Sequence, residues 1–312
     1  MTRLPVLLAV AVLSATALHA PPAPPPTDTS QDGGPPSAQA VVDALSCSSF
    51  EWIGDAEISD RAALLVPVRI DGHDYRFQLD TGSDVTFLYG TEAEQRGWPV
   101  EQWWGKTARV PDVRLGGAAL DAVRFYLRPE SSGETIGGTV GLDVLTGHVV
   151  VIDYPRQKFC LVPSADAPYA LMGRAAFAQA EIRSGKFFVA ASVGDEPVDG
   201  LMFDTGSSLF PLLVDQGDWQ EITGRTGAEA DLDRLTVPAW GRMLTFVGAP
   251  AEGDLAVGPV RLARPTVYTE PADPTGYADF GFRARGLIGN APFFDEIVVL
   301  DLRSRPLFGV LR

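Results

Sequence analysis

A chain of 312 residues with 46% hydrophobic and 21% charged side chains has the composition of a folded globular protein, long enough for one large domain or two of ordinary size. Its formal charge of −15 argues against a phosphate-binding surface of clustered Lys and Arg, so no nucleic acid is expected as a partner.

In chain order, Arg3 precedes the apolar run from Leu4 to Leu13 and the small residues from Ser14 to Ala17, the anatomy of a secretory signal peptide over residues 1–20. An exported protein, periplasmic or secreted, is the expectation; left uncleaved, the segment would act as a membrane anchor. Residues 21–46 begin PPAPPPTDTSQDGGPPSAQA, which lacks apolar periodicity and reads as a disordered tether. No later stretch approaches membrane-spanning length, so no integral membrane domain is expected after signal cleavage. The two cysteines are Cys47 and Cys160. An even count in an exported chain invites a disulfide, with two buried free thiols as the alternative, and no C-x-x-C pattern suggests redox chemistry or zinc.

Beyond the tether, residues 47–165 and 186–312 read as two related units joined by a connector at 166–185. LLVPVRIDGHDYRFQLDTGS in the first aligns with FFVAASVGDEPVDGLMFDTGS in the second: a strand, a turn at Gly72 or Gly194, and a second strand ending in Asp. VRLGGAALDAVRFYL matches LAVGPVRLARPTVYT, again strands about a Gly turn. The endings agree too, since Gly141 precedes Asp153 by the same spacing as Gly289 precedes Asp301. Such colinearity reads as a tandem duplication. Short helices are expected at 91–97 and 214–223; elsewhere β-branched and aromatic alternation broken by Gly and Pro predicts an all-β fold in two lobes. Asp153 and Asp301 are expected only to cap turns.

Two Asp-bearing turns facing each other across a pseudo-twofold axis would do what one cannot. Two close carboxyls cannot both ionise easily, so they share a proton and offer a general base and a general acid together. Asp80-Thr81-Gly82-Ser83 and Asp204-Thr205-Gly206-Ser207, with Thr139-Val140-Gly141 and Leu287-Ile288-Gly289, resemble the pepsin/retropepsin aspartic peptidases over roughly residues 60 to 312. The resemblance implies a two-lobed acid-protease fold with Asp80 and Asp204 as the catalytic pair. Thr81 and Thr205 would interlock the two loops, Ser83 and Ser207 would orient the carboxyls, and the elements at Gly141 and Gly289 would pass behind the loops. It implies a peptide or protein substrate, an acid pH preference, and no metal or cofactor. With both aspartates in one chain, a monomer is expected.

Pepsins carry a Tyr-Gly pair in the flap of the first lobe; the one such pair before Gly141, Tyr89-Gly90, comes only six residues after Ser83. Trp104-Gly105 is the nearest equivalent, on a short hairpin; Trp240-Gly241 is its counterpart, with LTFVGAPAEGDLAV at 244–257 as a candidate hairpin giving longer cover from the C-terminal lobe. The bland reading of Trp103, Trp104 and Trp240 is core packing.

A serine triad is disfavoured because the mature chain offers only His73, in a turn, and His148, before a buried-looking strand, without a Ser-containing elbow. No EF-hand or H-E-x-x-H spacing is present. The rival from another class is a catalytically silent two-lobed peptide-binding or inhibitory protein, against which stands the integrity of both Asp-Thr-Gly-Ser motifs.

Overall fold

The computed structural model describes residues 36–55, 58–129, 135–239, 242–274, 276 and 284–312; the signal peptide, the tether up to residue 35 and Trp240 lie outside them. Strands dominate, and the helices among the described residues are short, the longest being Gln216–Thr223. None is long and apolar enough to cross a membrane.

In the N-terminal half, eight strands form one sheet in the order Glu51–Asp55, Ser59–Ile70, His73–Leu79, Gly138–Val140, Phe87–Tyr89, Ala118–Arg128, Lys106–Leu115 and Val100–Gln102. Ser59–Ile70 also pairs with Lys106–Leu115, so the sheet curls back on itself. In the C-terminal half the strands run Ala175–Arg183, Lys186–Val193, Glu196–Phe203, Gly286–Ile288, Leu212–Val214, Thr266–Thr269, Arg242–Pro250 and Asp233–Ala239.

A shared region joins the halves. His148–Asp153 of the first pairs antiparallel with Ile297–Asp301 of the second, from Val149 opposite Asp301 to Asp153 opposite Ile297. The near-continuous apolar run of each strand is explained by burial on both faces. Val149 and Val151 pack into one cluster with Val41, Val42, Leu171, Ile297 and Val299, while Val150 and Ile152 face the main core with Val298 and Leu300. That is the period of two expected of a pleated strand.

The chain path differs from the sequence reading in three places. The tether does not extend to residue 46: Ser37 caps a helix, Ala38–Asp43, whose Val41 and Val42 are buried, because AVVDAL carries enough apolar surface to dock. The connector at 166–185 is not a loose link. It holds the helix Tyr169–Arg174 and the strand Ala175–Arg183, which pairs with Leu307–Leu311 on one side and Lys186–Val193 on the other. The segment 244–257 is not a hairpin: Arg242–Pro250 pairs with Asp233–Ala239 and not with Leu255–Val257, which pairs elsewhere. The seven positions paired between Arg242–Pro250 and Asp233–Ala239 make this the longer hairpin, against three between Val100–Gln102 and Lys106–Leu115.

Cys47 and Cys160 are joined in a disulfide, resolving the alternatives in favour of the bridge. The bond ties the segment after the first helix to Lys158–Pro163 across a sequence separation of 113 residues.

Candidate active site

Each Asp-Thr-Gly-Ser turn begins where a strand ends. His73–Leu79 delivers Asp80 and Glu196–Phe203 delivers Asp204. Beside each runs a short parallel strand in the same relative register: Leu79 opposite Val140, and Phe203 opposite Ile288. Asp80 N–H donates to the Val140 carbonyl (3.0 Å) and Asp204 N–H to that of Ile288 (2.9 Å). Both chains then turn, Ser83 N–H reaching the Asp80 carbonyl and Ser207 N–H that of Asp204.

The glycines after the parallel strands are required by contact. A Cβ on Gly141 would lie 2.4 Å from the Val85 carbonyl oxygen, and one on Gly289 would lie 2.1 Å from that of Ser207. These are backbone atoms that cannot step aside. Gly289→Ala should therefore cost stability near the upper end of overpacking penalties, about 3 kcal/mol. Urea unfolding measures it, and an unchanged midpoint would mean that the Asp-Thr-Gly-Ser turn can shift to make room.

The two turns interlock through their threonines, both almost fully buried. Thr81 Oγ1 donates to the Phe203 carbonyl (2.6 Å) and accepts from Thr205 N–H (3.0 Å). Reciprocally, Thr205 Oγ1 donates to the Leu79 carbonyl (3.0 Å) and accepts from Thr81 N–H (3.0 Å). This crossing seats each turn's glycine against the other turn's carboxyl: a Cβ on Gly82 would fall 2.6 Å from Asp204 Oδ1, and one on Gly206 2.7 Å from Asp80 Cγ.

The carboxyls of Asp80 and Asp204 are thereby brought together over Gly206, where an added Cβ would lie 2.8 Å from Asp80 Oδ1 and 3.0 Å from Asp204 Oδ1. Asp80 is buried, while Asp204 retains partial exposure. Burial, then the neighbouring Asp204 charge, pushes the Asp80 carboxyl well above the usual range. Burial also raises Asp204, opposed by its hydrogen bond with Asp80 and by Gly206 N–H, which donates to Asp204 Oδ1 (2.9 Å). The pair therefore holds a proton at pH values where an isolated carboxyl would be bare.

The expected role of Ser83 is altered: its hydroxyl donates to the Val85 carbonyl (2.7 Å), bracing the turn instead of the carboxyl. Ser207 is buried in the matching position. Trp103 and Trp104 are not core residues. They form the reversal before Lys106–Leu115, 56% and 88% exposed, and the Arg124 guanidinium lies over the Trp103 ring. Asp153 and Asp301 do cap turns, accepting from the backbone N–H groups of Arg156 and Arg303 and pairing with those side chains.

Four residues not singled out in the sequence support the site. Gln78, two positions before Asp80 and so on the same strand face, donates from Nε2 to the Gly206 carbonyl (3.0 Å). Asn290, fully buried, donates to the Thr205 carbonyl and Ser208 Oγ (2.8 Å each) and is held by Tyr154 Oη (2.6 Å). Lys186 donates from Nζ to the Gly82 carbonyl (2.5 Å). Only Gln78 left a signal, as a polar residue in an apolar strand; Lys186 and Tyr154 are invisible without the opposite half.

The chain was compared with known protein families and with curated proteins. It matches none. Among the described residues no group of three or more His, Cys, Asp or Glu side chains converges as a metal-binding set.

Proposed function

We propose that this chain is an aspartic endopeptidase with a two-lobed, pepsin-like fold derived from an internal duplication. One observation carries the reading: two carboxyls at strand ends, brought together and raised above their usual range, are held by reciprocal threonine bonds across the two halves. The equal registers beside the two aspartates support duplication. The disulfide suits an exported protein, periplasmic or secreted.

In the reaction this geometry supports, a water between the carboxyls loses a proton to the ionised one as its oxygen attacks the peptide carbonyl carbon. The protonated carboxyl gives its proton to the carbonyl oxygen, forming a neutral tetrahedral diol. As the C–N bond breaks, the leaving amine takes the proton of the protonated carboxyl while a diol hydroxyl gives its proton to the ionised one, so the pair again holds a single proton. No acyl-enzyme forms.

Cleavage of a peptide library by protein beginning near Ser37, scanned from about pH 3 to 8, tests the proposal across the range in which such a pair holds one proton. Bell-shaped cleavage, strongest on the acid side, is expected. Absence of cleavage at every pH by folded protein would turn the reading toward a peptide-binding or inhibitory role.

A further inference from the structure

The supports of the two catalytic turns are not equivalent. Each turn's glycine carbonyl accepts from a side chain of the opposite half: Gly206 from Gln78 and Gly82 from Lys186. One donor is neutral and the other is a cation. The residue matching Gln78 in the second half is Met202, each lying two before its aspartate. The residue matching Lys186 in the first half is Ala63, since Val66 opposite Phe77 corresponds to Val189 opposite Leu201. A single positive charge thus stands on one side, with the uncharged Ala63 at the matching place in the first half.

Local structure brings it there. The strands Ala175–Arg183 and Lys186–Val193 reverse through Ser184 (φ 49°) and Gly185 (φ 71°), left-handed residues that suit a tight turn. The turn presses on the first catalytic loop so closely that a Cβ on Gly185 would meet Asp84 Cβ at 2.6 Å. Lys186 follows at once, only 8% exposed, an unusual place for an ammonium group. Its Nζ lies 3.9 Å from Asp84 Oδ1, whose side chain is 55% exposed, so that pair is a weak one. The Gly82 carbonyl that Lys186 holds belongs to the residue packed on the Asp204 carboxyl.

We propose that Lys186 is a positioning residue for the carboxyl pair, clamping the Gly82 turn from the opposite half and, by its charge, setting the pH window in which the pair holds one proton. This rests on the aspartic peptidase reading. The sign follows from electrostatics: a nearby cation favours the ionised carboxyl, and the Lys186 charge pulls down both Asp80 and Asp204 against their burial. The other titratable groups around the pair and the lysine are Asp84 on the catalytic loop, Arg183 opposite Lys186 in the hairpin with Glu181 beside it, and Tyr89, which feels the Asp80 charge.

The test compares Lys186→Met, Lys186→Gln and Lys186→Arg in the full mature chain, with two readouts. One is the pH profile of peptide cleavage. The other is the carboxyl carbon-13 titration of Asp80 and Asp204, assigned with their Asn variants, which needs no turnover. Met and Gln, lacking the charge, should move both readouts upward by roughly one pH unit, the lower end of what a charge within about 6 Å does to a carboxyl. Arg should leave both near wild type. Gln retains a donor, so a Gln variant behaving like wild type would leave only the clamp and overturn the electrostatic role, as would an unmoved titration in folded Met variant. If Met does not fold, Gln against Arg makes the same comparison. Wild-type protein that cleaves nothing, combined with a shifted titration in Gln, would discard the peptidase reading and keep the coupling of Lys186 to the pair.

Discussion

Asp80→Asn should abolish peptide cleavage and at the same time leave the protein more stable at neutral pH than the wild type. The first effect follows from the proposed chemistry: asparagine can neither accept the proton of the attacking water nor supply one to the carbonyl oxygen, and the loss should be at least ~10³-fold. Asp204→Asn should lose activity to the same degree, because neither carboxyl works alone.

The second effect follows from linkage. The Asp80 carboxyl is raised in the folded state, so between its ordinary range and its raised value the folded protein binds a proton that the unfolded chain has released. Stability contributed by that proton is fully present below the ordinary carboxyl range and is lost as pH rises through the raised value. An amide never has to be deprotonated, and it can donate to Asp204, so the variant escapes this loss. Urea unfolding at about pH 4 and pH 7 reads it directly: the two proteins should converge in acid and separate at neutrality, across the range in which only the wild type changes charge. A variant less stable than the wild type at both pH values would mean that the carboxyl itself, not the proton, braces the turns.

Removing the bridge by Cys47→Ala with Cys160→Ala should produce a large loss of stability. The closed loop contains the whole eight-stranded N-terminal sheet, and freeing a 113-residue separation in the unfolded chain costs ~4–5 kcal/mol in the chain-entropy model. For a chain of this size that corresponds to a fall in melting temperature on the order of 10 °C. Calorimetry of the double variant, beside wild type with and without reductant, measures it. The carboxyl pair is held by hydrogen bonds remote in sequence from the bridge, so cleavage at low temperature should persist. A melting temperature within about a degree of wild type would show that the unfolded chain already keeps the two segments together.

What the sequence disclosed and what it hid follow from the range of the interactions. Asp80, Asp204, Gly141 and Gly289 were legible because each is fixed by a short local pattern that occurs twice at matched spacing. Turns at Gly72 and Gly194 were legible for the same reason, and the structure places left-handed glycines at both. Lys186 was not, because its partner lies across the interface between the halves, and a lysine before two phenylalanines looks like any strand entry. The strand Ala175–Arg183 was hidden by its alanines, which carry little β propensity; it forms because edges on both sides await it. Trp103 and Trp104 misled in the other direction, since bulk and aromaticity suggest a core and their place at a hairpin reversal puts them outside.

The antiparallel pairing of His148–Asp153 with Ile297–Asp301 makes the covalent link between the halves only one of several ties. Ser164 to Asp166 lies on the surface just before the helix that leads into the second half. A protease nicking the chain there would leave two fragments still joined by a strand ladder, by four threonine hydrogen bonds and by the contact of Tyr154 with Asn290. Connectivity and assembly are thus separable in this molecule. It is built as a dimer is built, with a peptide bond added, and each face of the join is free to diverge from the other because no symmetry obliges a change on one side to be copied on its counterpart.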